Sequence, residues 1–160
     1  MSAPDFDVEL QAKDGNVTRV PMRLARVSCL VRDVCRYGAR CVPLKHTTKE
    51  ALDWIVAYMR RADGAESPTP VPKPVRTSRL SEIFAGAETD VDRRELDLIG
   101  ALWLRDRRAT YDVLVAAFEL DLPTLKAMLC ALVVSRIRGS ELGEIRARVD
   151  PRVKSNPNEI

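Results

Sequence analysis

Side chains suited to covalent or metal chemistry are few and poorly grouped. His46 is the sole histidine, and the cysteines are Cys29, Cys35, Cys41 and Cys130. A zinc site needs a tight ligand cluster, usually built on C-x-x-C pairs, and no such pair is present. No metal site is therefore expected. Cys35 and Cys41 lie near His46 in sequence, which leaves a Cys–His dyad open. His46 sits just before a helix cap, however, where a solvated polar residue is ordinary. The phosphate-cradling patterns G-x-x-x-x-G-K-[ST] and G-x-G-x-x-G are absent, as is the nucleophile elbow G-x-S-x-G. The carboxylates are scattered among arginines, as surface pairs are. The sequence predicts no catalytic residue, no cofactor and no enzyme. Outside a secretory setting, the thiols are expected to be free and packed as small hydrophobes.

Composition narrows the class further. The chain has 160 residues, 46% hydrophobic and 31% charged, which suits about one soluble globular domain. No apolar run approaches the roughly 20 residues of a membrane span. The start, MSAPDFDVEL, is acidic and lacks the apolar core of a secretory signal. The expected location is cytoplasmic, nuclear or both, with no membrane partner. The net charge of +3 conceals arginine-rich stretches such as Arg105, Arg107 and Arg108. These alternate with acids, as on a solvated helix face, and lack aromatics to stack bases. Nucleic-acid binding is not expected.

The elements that would position any site follow from periodicity. Residues 8–13 alternate, with Val8, Leu10 and Ala12 facing one way. Asp14-Gly15 then signals a turn into a second strand over 16–20, completing a hairpin. Leu24, Val27, Leu30, Val31 and Val34 recur at helical spacing, which predicts one helix from Met22 to Cys35. Val42-Pro43-Leu44 reads as a brief strand, and Pro43 places it at an edge. Thr47-Thr48-Lys49-Glu50 reads as a capping box with Thr47 as N-cap. It opens a helix whose core face is Leu52, Ile55, Val56 and Met59, with Trp54 and Tyr58 on an adjoining face. Alternating prolines over 63–79 forbid helix and predict a surface loop. Leu80 to Gly86 reads as a short amphipathic turn. Helices are then expected from Asp92 as N-cap to Leu104, and from Arg107 or Arg108 to about Leu120. Asp121 is read as the cap of the next helix, with Pro123 in its first turn. That helix is expected to stop at Gly139. A short helix from Ser140 to Val149 and a tail over 151–160 complete the chain. The whole is an α+β domain, a small sheet with helices clustered after it.

From Leu122 to Ile137 most positions are apolar. A helix apolar nearly all round is buried on more than one side. One side is assigned to the core, and the other is expected to meet a protein partner.

Two stretches carry a family resemblance. Residues 8 to 34, VELQAKDGNVTRVPMRLARVSCLVRDV, are similar to the opening hairpin and helix of the Skp-type adaptors of SCF ubiquitin ligases. Residues 111 to 149 follow the same family's helices, including Ala116-Ala117, Leu120-Asp121, Leu125, Cys130, Ile137, Gly139 and Glu144-Ile145-Arg146. Val42-Pro43-Leu44 and the helix over Lys49–Arg61 match between them, and the proline-rich loop falls where the family has its long variable loop. The resemblance covers roughly residues 6 to 150.

It implies a BTB/POZ-type domain over 6–120, followed by Skp-type helices over 121–150 that hold an F-box. By the same resemblance, Leu125, Leu129, Val133, Ile137, Ile145 and Val149 would face the F-box or F-box-like protein. Trp54, Tyr58, Phe118 and Glu119 would face a cullin. No cofactor is implied, and the partner-free chain is expected to self-associate through the F-box face. Three departures mark a divergent member. Phe118-Glu119 stands where the family has Asn-Tyr, and the new carboxylate is expected to weaken or redirect the cullin contact. The basic PRVKSNPNEI replaces an acidic segment, and the loop is basic rather than acidic. The readings carried forward are an SCF-type adaptor and a structural subunit of a cullin-free F-box-protein complex. An elongin-C-like adaptor is the third, disfavoured by the helix over Ser140–Val149.

Overall fold

A computed structural model describes residues 6–65 and 90–137, without the side chains of 90–97 and of Ile137. The expected features over 66–89, the Gly139 stop, the helix over Ser140–Val149 with Ile145 and Val149, and the tail lie outside the described residues. The described chain is α+β, with three strands and six helices.

Strands β1 (Asp7–Gln11) and β2 (Val17–Pro21) form the expected hairpin, with Val8 opposite Val20 and Leu10 opposite Thr18. Side chains alternate between faces in a strand, and Val8, Leu10, Val20 and Ala12 all fall on the buried side. At the turn Gly15 takes φ 88°, open to glycine at no steric cost. The Asp14 carboxylate accepts from the backbone N–H of Asn16 at 3.1 Å and its side-chain amide at 2.7 Å. These bonds, the backbone one first, hold Asp14 below the usual carboxylate range. Strand β3 (Cys41–Pro43) pairs in parallel with β1, giving the order β2-β1-β3. Pro43 lacks a donor and sits on an edge strand, as expected.

A parallel pair needs a crossover, and here it contains two helices rather than one. Helix α1 (Met22–Ala25) stops, Ser28 becomes extended, and α2 (Cys29–Arg36) begins. The expected single helix over Met22 to Cys35 is thus corrected. The break has a local cause: the Ser28 hydroxyl oxygen accepts from the Val31 N–H at 3.1 Å, satisfying a first-turn donor that a continuous helix would have used internally.

Helix α3 (Lys49–Ala62) starts where expected, but its cap lies one residue later than Thr47. Thr48 caps it, accepting from the Ala51 N–H at 3.2 Å. Leu52, Ile55, Val56 and Met59 are buried as the spacing predicts. The helix ends on left-handed Asp63 and Gly64, at φ 46° and 85°. Gly64 is required by contact as well as conformation, because a Cβ there would lie 2.3 Å from the Arg23 carbonyl oxygen. The Gly64 carbonyl accepts from Arg26 Nε at 2.9 Å, which fastens the end of α3 to the α1 region.

Helix α4 (Asp90–Arg105) begins before the expected cap at Asp92. Helix α5 (Arg107–Glu119) is capped by Asp106, whose carboxylate accepts from the Arg108 N–H at 2.8 Å. Helix α6 (Pro123–Ile137) opens on Pro123, where a missing N–H is harmless. The described residues divide into two compact units, 6–65 with Asp112–Lys126, and 90–111 with 127–137. Helices α5 and α6 each contribute to both units.

Candidate functional site

Helix α5 carries two apolar faces. Val113, Ala116, Ala117 and Leu120 are buried on one. On the other Leu114 is half-buried, while Val115 is 41% and Phe118 55% exposed. Helical geometry sets these two groups on opposite sides of the axis. Singly exposed apolar residues are ordinary; these three are neighbours on one helix face. Leu114, Val115 and Phe118, with His46 and Glu119, line an open hollow. Lys126 Nζ lies 5.4 Å from the centroid of the Phe118 ring and adds a cation–π contact behind it.

The end of α5 is held on two sides. On one, Ser28 Oγ donates to the Leu120 carbonyl. The N–H of Cys29 donates to the Asp121 carbonyl at 3.0 Å, and that of Leu30 to the Leu120 carbonyl at 3.4 Å. The first-turn donors of α2 and the last carbonyls after α5, both orphaned by helix geometry, thus satisfy one another. On the other side, the Glu119 carboxylate accepts from the N–H of Lys45 at 2.5 Å and of His46 at 3.1 Å. The Thr47 hydroxyl donates to it at 2.7 Å. Thr47 is wholly buried and is no helix cap; the Glu119 bond is what its hydroxyl serves. The Thr47 carbonyl in turn accepts from the Lys13 N–H at 2.9 Å, tying in the hairpin.

The turn from α5 to α6 passes through Asp121 at φ 52°, a left-handed position that Asp tolerates better than most residues. Its carboxylate binds Lys126 Nζ. That bond chiefly holds the Asp121 carboxyl below the usual carboxylate range. The expectation that Asp121 caps α6 is corrected. The helix starts at Pro123, two residues on, and the carboxylate serves the Lys126 side chain.

The sequence-derived site residues fall in varied places. Phe118 is exposed and Glu119 half-buried beside it. Trp54 is half-buried and stacks on Tyr58, with ring centroids 6.2 Å apart and planes 8° from parallel. Tyr58 itself is 1% exposed, so of this pair Trp54 alone reaches the surface. On α6, Leu125 and Leu129 are wholly buried and Val133 half-buried. The apolar positions that meet solvent are Val134, with Cys130 and Ala127 half-buried along the same stripe. Leu125 and Leu129 thus lie on the covered side of α6, and the uncovered stripe is about a third of a turn away. With apolar residues nearly all round α6, spacing alone does not say which side the core takes.

None of the four cysteines is in a disulfide; Cys41 is exposed and the others half-buried, so burial is less complete than expected. Desolvation raises the Cys35 thiol above its ordinary range. Among the described residues, no group of three or more His, Cys, Asp and Glu is placed to hold a metal ion. Among the same residues, no helix is long and apolar enough to cross a membrane. Sequence reasoning misses Ser28, Thr47, Leu114 and Val115. The last two carry a usable signal, because Leu114, Val115 and Phe118 repeat at helical spacing opposite Val113, Ala117 and Leu120.

No family model matches the chain. The chain is similar to the S-phase kinase-associated protein 1 homolog of Tetrahymena thermophila, at 25% identity over 141 residues. The aligned region spans 87% of this chain and 78% of that protein.

Proposed function

We propose that this chain is a non-enzymatic adaptor of the Skp type. In this reading the small sheet and the helices around it form a BTB/POZ-type unit. The C-terminal helices seat an F-box or F-box-like protein, and the outer edge of α5 faces a cullin scaffold, as in an SCF-type ubiquitin ligase. The observation that carries the reading is the exposed Val115–Phe118 edge, in an α+β chain similar to an S-phase kinase-associated protein homologue along most of its length. Phe118 is the central contact on the cullin side, with Trp54 contributing from α3 and Tyr58 backing it. On the F-box side, Val133 and its neighbour Val134 make the contact over a base of Leu125 and Leu129. Ile137, Ile145 and Val149 extend the seat. Both associations are made by surfaces, so no cofactor takes part, and the free chain self-associates when the F-box side is empty. Action in the cytoplasm or nucleus follows from the same reading.

Affinity purification of the tagged chain with mass spectrometry tests it. Recovery of an F-box protein together with a cullin is the expected result. F-box-like partners without any cullin would replace this reading by a structural subunit of a cullin-free complex. Recovery of neither would end both.

A further inference from the structure

We propose that Glu119 is a positioning residue for the docking edge of α5, and that it makes this edge apolar rather than acidic. The inference rests on the reading of that edge as a docking surface. Glu119 adjoins Phe118 in the last turn of α5. Its carboxylate takes donors from three consecutive residues: the N–H of Lys45, the N–H of His46 and the hydroxyl of Thr47. A carboxylate that accepts several converging donors is held in place, with its lone pairs turned toward them and away from an incoming partner. It is therefore poorly placed to serve as a free charge for a partner.

Geometry connects this bond set to the edge. The open hollow has Leu114, Val115 and Phe118 on the α5 side and His46 on the other, with Glu119 between them. The carboxylate belongs to α5 and its donors belong to the segment containing His46. It thus joins the two walls of the hollow. Without it, the N–H groups of Lys45 and His46 lose their acceptor, and the buried Thr47 hydroxyl loses its partner. The His46 wall is then free to part from Phe118. A shorter acid lacks the reach, and an amide offers one oxygen where the donors need two. The sequence alone suggests that this carboxylate, as a free interface charge, weakens or redirects the cullin contact. Its engagement gives the opposite specificity: the segment that seats here is apolar, not basic.

The test uses the full chain and the variants Glu119→Ala, Glu119→Gln and Phe118→Ala. Amide hydrogen exchange at Lys45 and His46, and NMR signals of the Phe118 ring, are read without any partner. In Glu119→Ala, exchange at these two amides rises on the order of tenfold or more. The Phe118 ring signals shift, while the amides of Val8 and Leu10 stay protected. Glu119→Gln gives a smaller change in the same direction and serves where the alanine variant does not fold. Cullin recovery in the tagged purification falls for Glu119→Ala and Phe118→Ala alike, with F-box recovery unchanged. Phe118→Ala leaves Lys45 and His46 protected, which separates contact from positioning. Unchanged exchange at Lys45 and His46 overturns the proposal, as does raised exchange with unmoved Phe118 signals. If the wild-type chain recovers no cullin, the docking reading fails, and the exchange and Phe118 signals still decide the positioning role.

Discussion

Asp121 combines a left-handed backbone with a carboxylate bound to Lys126 in the first turns of α6. The pair is partly exposed, with side chains 46% and 27% accessible, so solvent screening keeps its contribution small, under about 1 kcal/mol. Its sign is still definite. Asp121 has its folded-state pKa depressed by the Lys126 bond. Its contribution is therefore complete above the unfolded value, near 3.9, and is lost as pH falls through the folded value. Asp121→Asn keeps a side chain that tolerates φ above zero and removes only the charge. Thermal melts are expected to show the variant slightly less stable at pH 7 and equal to wild type once both are acidified below the folded pKa. A difference that persists unchanged into acid would mean that the carboxylate acts by shape and not by charge.

At the scale of elements, Ser28 divides one helical stretch into two. Its hydroxyl caps α2 and also donates to the Leu120 carbonyl, and it is wholly buried. Ser28→Ala removes both bonds, leaving the Val31 N–H without this acceptor and the Leu120 carbonyl with only the long bond from Leu30. A loss of about 1–3 kcal/mol is expected, measured by urea denaturation. This break is illegible in the sequence because Leu24, Val27 and Val31 keep helical spacing straight through it, and all three are buried. Periodicity records which side faces the core, not whether the backbone is continuous. The hairpin is legible because Asp14-Gly15 is a local instruction, and α3 is legible because Leu52, Ile55, Val56 and Met59 repeat cleanly. The displaced cap at Thr48 shows the limit of such local signals. Either threonine can cap, and a carboxylate far along the chain at Glu119 decides by claiming Thr47. Phe118 stands out through family resemblance, while half-buried Leu114 and exposed Val115 beside it are readable from their spacing alone. The orientation of α6 is not readable, since a helix with few polar positions gives no period to follow.

On the scale of the molecule, the core and the proposed docking surface share single helices, and substitutions a few residues apart should separate them. Leu129 is wholly buried on α6, whereas Val134 is 42% exposed. Leu129→Ala is expected to cost about 2–5 kcal/mol of stability, as large-to-small core changes do. Val134→Asp is expected to stay within about 0.5 kcal/mol of wild type and to lose the F-box-type partner in the tagged purification. Calorimetry of both variants beside that purification checks the pair of outcomes. A Val134→Asp chain that retains its partner would move the seat off this stripe of α6.

The division of the chain into units also sets an order in time. Strands β1 to β3 and helices α1 to α3 leave the ribosome first, yet Asp112–Lys126 belongs to the same compact unit. The acceptors for the N–H groups of Cys29, Leu30, Lys45 and His46 all lie in that later segment. At roughly 5–20 residues per second of synthesis, the early part waits several seconds for them. During that interval the newborn polypeptide carries these donors and an incomplete core, and its apolar surface is open to wrong contacts.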